Sequence, residues 1–197
     1  MTDPTYMWMI VPLVALPFAV AGYALRRLMA RARARDDLWE GIEYHLKERQ
    51  TLAPRLTSIA ALYFPWDHPL VDDISQARKY AMAARTVIER AKTEAELSWA
   101  LARLIRAAST HAELIRHADF AATVRRIASL EAKVAGRRGE FNRLTVLLQE
   151  DTQHLPGRLA ELLAGVTAME PFELDPLLAR ESMMTALELG QAPLPAT

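Results

Sequence analysis

The chain has 197 residues, with 24 basic residues against 24 acidic ones and no cysteine. The missing cysteines exclude disulfides and thiolate metal sites, and scarce glycine with abundant Ala, Leu, Arg and Glu favours helix. The zero net charge hides an uneven spread: residues 26–35 carry +5, 36–169 are neutral and 170–197 carry −4.

The chain opens on an apolar segment. Tyr6 to Leu25 are twenty residues without a charge, and Arg26, Arg27, Arg31, Arg33 and Arg35 follow directly. Twenty helical residues reach roughly 30 Å, the thickness of a bilayer's hydrocarbon core. The run is therefore expected to form an N-terminal transmembrane helix within residues 1–25, followed by a basic juxtamembrane segment over 26–35. Arginines stay on the cytoplasmic side, and Asp3 is the only charged side chain before the span. The expected topology is single-pass in a bacterial inner (cytoplasmic) membrane, with the N-terminus out and the C-terminal domain cytoplasmic. Tyr6, Trp8 and Tyr23 suit the two interfaces, and Pro12 and Pro17 are tolerated within a membrane helix. Ala19-Val20-Ala21 has the form of a signal-peptide cleavage site, but the segment lacks a positive n-region and the arginines oppose export.

The basic block is short, and nothing downstream continues it, so it points to anionic lipid headgroups rather than nucleic acid. Its five arginines are the candidate lipid-binding residues.

Residues 36–175 are expected to form one helical-bundle domain. Trp39, Ile42, Leu46, Arg49, Ala53, Leu56, Ala60 and Tyr63 follow alternating steps of three and four, a one-sided bundle seam. Pro54 lies inside that run, where it marks a kink or a restart. Phe64 to Pro69, FPWDHP, is a tight connector. A second helix starts near Leu70, with the seam Ile74, Ala77, Ala81, Ala84, Ile88 and Ala91. Thr93 with Glu96 has the form of a capping box and is expected to open a third helix. Its seam is Leu97, Leu101, Leu104, Ala108, His111 and Ile115, ending by about Arg116. Asp119 is a candidate N-cap for the fourth helix. The fourth seam runs through Phe120, Val124, Ile127, Leu130, Val134, Arg137, Phe141, Leu144 and Leu148. Arg49 and Arg137 interrupt their seams; each either pairs with a carboxylate or snorkels to the bundle edge. A short amphipathic helix from Leu155 follows, and residues 176–197 form a C-terminal tail. The fold class is all-α: a transmembrane helix, then an antiparallel bundle of about four long helices.

These residues resemble the LemA family. Its pattern has a Trp early in the first soluble helix, then an apolar residue and Leu-Lys-x-Arg, as at Trp39, Ile42 and Leu46-Lys47-Glu48-Arg49. Leu-x-Pro-x-Leu matches Leu52 to Leu56, and the aromatic after it matches Tyr63. An Ala-Arg pair matches Ala77-Arg78, and an Arg-Leu step lies within Leu101 to Leu104. Later come Arg138, Phe141-Asn142, Leu155-Pro156 and Phe172-Glu173. The chain departs at Arg55, where the family usually has Asn, and at FPWDHP, where it often has His-Glu. The resemblance covers residues 1–175 and implies a membrane-bound helical bundle.

Chemistry is sparse. His45 with Glu48, and Glu113 with His117, share helical faces, but no Glu-x-x-His element occurs as a di-metal bundle requires. The other histidines are His68, His111 and His154. There is no phosphate loop or nucleophile elbow. The expectation is a non-enzymatic scaffold or interaction module without a cofactor and without nucleic acid. Its protein partner is unnamed by the sequence. A membrane-shaping or lipid-binding role through the arginines is the alternative, and a metal-dependent bundle enzyme the third. Candidate partner-binding residues are Phe64 and Trp66 at one bundle end, and Met183, Met184 and Leu187 in the tail. For each group the competing role is packing: a local cap on the core, or a loosely packed end.

Overall fold

The computed structural model describes residues 4–64, 69–153 and 169–173; of residues 4–14, 17 and 153 it describes the backbone alone. Among these residues there are helices and no strands. They are α1 (Pro4–Ala60), α2 (Pro69–Ala83), α3 (Val87–Ala108), α4 (Ala112–Arg116) and α5 (Ala118–Gln153). The chain divides into two compact units, one of Met1–Asp37 with Arg143–Met169, the other of Leu38–Asn142 with Glu170–Thr197.

In the first unit, Leu28 and Ala32 of α1 pack with Leu148 of α5. Arg31 of α1 pairs with Asp151 of α5. Among the described residues no helix is long and apolar enough to cross a membrane. Of the run Tyr6–Leu25, the side chains of residues 6–14 and 17 lie outside the described ones.

The second unit is a helical bundle. Partners across it fix the helix directions. Trp39 meets Phe141, Arg49 meets Glu131 and Arg55 meets Asp119. Numbers rise along α1 as they fall along α5, so these two helices are antiparallel. Arg103 meets Asp73, and Arg90 donates to the carbonyl of Ala84 just past α2, so α2 and α3 are antiparallel too. The 3/4 pattern explains the packing. Ile42, Leu46, Ala53, Leu56 and Ala60 of α1 are all buried, as are Leu97, Leu101 and Leu104 of α3 and Ile127, Leu130 and Phe141 of α5. Ala77 and Ala81 of α2 are buried at positions where a small side chain permits close helix approach.

Three helix boundaries differ from the sequence expectation. The second helix does not run on to Ala91. It ends at Ala83, and α3 starts at Val87 behind a capping box of Thr86 and Glu89. The Thr86 hydroxyl accepts from the Glu89 N–H at 3.1 Å, and the Glu89 carboxylate accepts from the Thr86 N–H at 3.3 Å. Backbone donation from Arg85 and Thr86 holds the Glu89 carboxyl below its usual range. Thr93 therefore lies inside α3, its hydroxyl donating to the Glu89 carbonyl at 2.9 Å. The new start turns Ile88 outward, to 53% exposure. Likewise α3 ends at Ala108, and the short α4 restarts the register. Leu114 is fully buried in consequence, while Ile115 is exposed. Finally, α5 starts at Ala118, which puts Asp119 in its first turn rather than at the cap. The expected helix after Leu155 lies outside the described residues.

Pro54 does not interrupt α1. Its ring nitrogen has no proton, so the carbonyl of Gln50, four residues earlier, loses its helical donor. Arg78 of α2 supplies one: its Nε donates to the Gln50 carbonyl at 2.8 Å. A cationic donor satisfies a backbone acceptor that would otherwise be orphaned in a packed interface.

Candidate functional site

The chemistry of the second unit is concentrated at Arg49. One helix turn beyond Leu46, the seam brings this guanidinium into the core, 3% exposed. Its Nη2 donates to the Glu94 carboxylate and, at 3.0 Å, to the Glu94 backbone carbonyl. Its Nη1 donates to Glu131 and to the Ser98 hydroxyl. Ser98 in turn donates to Glu131 at 2.9 Å, and the Gln50 amide donates to the second oxygen of Glu94. Three helices, α1, α3 and α5, are joined through one side chain. Burial opposes charge on the Arg49 guanidinium, but Glu131 and Glu94 outweigh it and hold its pKa above the ordinary value.

Glu94, Ser98, Gln50 and Glu131 carry no sequence motif, yet a signal exists. Ala91, Glu94, Ser98, Leu101 and Ile105 form a second 3/4 stripe on α3, and all are buried. A carboxylate and a hydroxyl in a core stripe call for a cation across the interface.

Arg137, the other seam arginine, does the opposite. It is exposed on α5, and its guanidinium lies over Gly41 of α1, where a Cβ would collide with it. It reaches the bundle edge as a snorkelling side chain does.

A second constellation sits at the α1 entry to this unit. The Trp39 ring lies 5.3 Å from Phe141 and 5.5 Å, edge-on, from Phe172. Phe172 is wholly buried. The Asn142 side chain holds its backbone in place, accepting from the Phe172 N–H at 2.8 Å and donating to the Phe172 carbonyl at 3.2 Å. One amide thus satisfies both polar groups of a residue outside any helix, as burial there requires.

The five candidate arginines divide. Arg26, Arg27 and Arg33 are exposed, Arg31 is half-buried against Asp151, and Arg35 is buried and pairs with the neighbouring Asp36. Phe64 is buried, its ring 4.7 Å from the His111 ring. Trp66, Met183, Met184 and Leu187 lie outside the described residues. Among the described residues, no group of three His, Asp or Glu side chains forms a cluster able to hold a metal ion. His45 is buried, and its pKa is lowered by that burial and by the nearby Arg137 and Lys133.

The arrangement serves architecture. Arg49 ties three helices, Arg78 repairs the gap that Pro54 makes, and Trp39, Phe141, Asn142 and Phe172 clasp the segment after α5. These are also residues on which the sequence resemblance rests. A search among curated proteins finds no match. The LemA family profile matches residues 38–183, about three quarters of the chain, and the protein belongs to that family.

Proposed function

We propose that this LemA-family protein is a membrane-anchored, non-enzymatic scaffold or interaction module whose bundle faces the cytoplasm of a bacterial cell. The observation that carries the reading is the uncharged run Tyr6–Leu25 with five arginines directly behind it. The α1 backbone is helical from Pro4 to Ala60, so such an anchor is continuous with the first helix of the bundle. In the second unit the buried Arg49 is paired with the buried Glu94 and the half-buried Glu131, which favours a structural over a catalytic use. A C-terminal alkaline phosphatase fusion is expected to be inactive and a C-terminal fluorescent-protein fusion bright. The reverse pair of results would overturn the orientation.

A second reading, lipid binding or membrane shaping through the basic segment, is favoured by the exposure of Arg26, Arg27 and Arg33. Attraction to anionic headgroups fades within a Debye length, about 8 Å at physiological salt. A fragment starting at Arg26 is expected to bind anionic vesicles and to release them as salt rises; one starting at Asp36 should bind far less. Substituting Gln at Arg26, Arg27 and Arg33 should remove most of the binding, because Arg31 and Arg35 already face carboxylates. Equal binding by all three forms would reduce the basic block to a topology signal.

A further inference from the structure

Gly41, His45 and Glu48 follow one another at steps of four and three, so they share one stripe of α1. Both ends of the stripe are held by α5. The Arg137 guanidinium lies over Gly41, and Arg126 donates to Glu48 through Nε at 2.8 Å. His45 stands between these two contacts. The antiparallel pairing that sets Arg137 at Gly41 and Arg126 at Glu48 runs the intervening stretch of α5, with Lys133, alongside it. Among the described residues His45 is the one histidine that is buried.

Four buried side-chain atoms among the described residues lack a hydrogen-bond partner: Nδ1 of His45, Oε2 of Glu48, Nε of Arg49 and Nδ1 of His117. Arg49 is matched by Glu94 and Glu131, and Glu48 by Arg126. His117 is only half-buried, its ring edge-on to Tyr63. His45 differs, because it is a buried base with an unused ring nitrogen, and imidazole is the side chain that changes charge near neutral pH. The charges acting on it are uneven. From α5 come Arg137, Lys133 and Arg126, and from α1 comes Glu48, which Arg126 already meets. Glu43 of α1 is taken up by Lys47 and by Arg90 of α3. Tyr44 lies edge-on to the His45 ring. Burial, Arg137 and Lys133 lower the His45 pKa, and Glu48 opposes them without reversing the direction. A histidine lowered in this way stabilises the fold while it is neutral. That contribution is fully present above the ordinary histidine value and is lost as pH falls below it.

We propose that His45 is a proton-sensitive latch in the α1/α5 seam: neutral, it lets α5 hold the stripe from Gly41 to Glu48, and protonated, it parts that edge. The imidazolium is a cation with no acceptor at Nδ1, enclosed beside the cations of α5, and opening the edge gives it water and distance from Arg137. The stripe belongs to the helix that also carries the run Tyr6–Leu25, so the latch governs how firmly that helix is tied to the bundle. It lies in the second unit and does not depend on the anchor.

The chain has no cysteine, so two introduced ones carry spin labels uniquely. Labels on Glu40→Cys of α1 and Gly136→Cys of α5, both at exposed positions, report the gap in the full chain in a neutral detergent. From about pH 7.5 to about pH 5.5 the distance distribution should gain a longer population. The same labels in a His45→Gln background should show no such change. Arg137→Gln alters an exposed side chain and keeps the test open should His45→Gln fail to fold; it should shrink the acid-induced population. Imidazole titration followed by NMR should place the His45 midpoint below that of a free histidine peptide, and Arg137→Gln should raise it. A midpoint at or above the free peptide's, the result of an imidazolium turning to Oε2 of Glu48, would overturn the proposal. So would a distance distribution that ignores pH, or an acid response left intact by both substitutions.

Discussion

Replacing Arg49 with Met is expected to destabilise the bundle by about 3–5 kcal/mol, the cost of breaking a buried ion pair from one side. Glu94 is fully buried, and without the guanidinium only the Gln50 amide would remain to offset its carboxylate. Ser98 and Glu131 would lose a donor as well. The penalty belongs to the isolated carboxylate, not to the attraction itself. The triple variant Arg49→Met/Gln50→Leu/Glu94→Leu should therefore recover much of the loss, since apolar replacement of a whole buried network is often neutral or stabilising. Chemical denaturation of the full chain in a mild detergent measures both. A single variant as stable as the parent would mean that water already reaches Glu94.

Removing the ring of Phe141 or of Phe172 should cost a similar amount, about 3–5 kcal/mol for a Phe→Ala change at a fully enclosed site. Both are completely buried, and Trp39 packs against both. The two changes differ in what they report. Phe141 lies within α5, so its loss leaves a cavity between helices. Phe172 lies outside any helix, tied through Asn142. Phe172→Ala should therefore also free the chain around it, seen as faster amide exchange and proteolysis near residue 172. Asn142→Ala should destabilise by about 1–3 kcal/mol through two unmade hydrogen bonds. Combined with Phe172→Ala its effect should be less than additive, because each releases the same segment. Strict additivity would show that ring and amide act independently.

The contrast between the two seam arginines shows where local pattern stops. Arg49 and Arg137 carry the same sequence signal, a cation at a core step of a 3/4 seam. One is buried and the other exposed. The difference lies on other helices: α3 presents Glu94 and Ser98 to Arg49, whereas Gly41 of α1 offers Arg137 a surface to lie across. The capping boxes make the same point. Thr86-x-x-Glu89 and Thr93-x-x-Glu96 both fit the motif, seven residues apart. The chain breaks at the first because α2 ends at Ala83, and the second is carried inside α3.

The helical class, the core faces of α1 and α5 and the family were all legible in the amino-acid order, because a 3.6-residue repeat written in apolar side chains needs no partner to be read. The same order marked Trp39, Pro54, Arg78, Asn142 and Phe172 as members of a pattern, without saying why. The reasons came from the folded chain. A proline's orphaned carbonyl, an arginine's carboxylates and an amide's backbone partner are each supplied from a different helix or segment, 28 to 82 residues away. Such pairings are settled by which surfaces the bundle brings together, and no local rule encodes them.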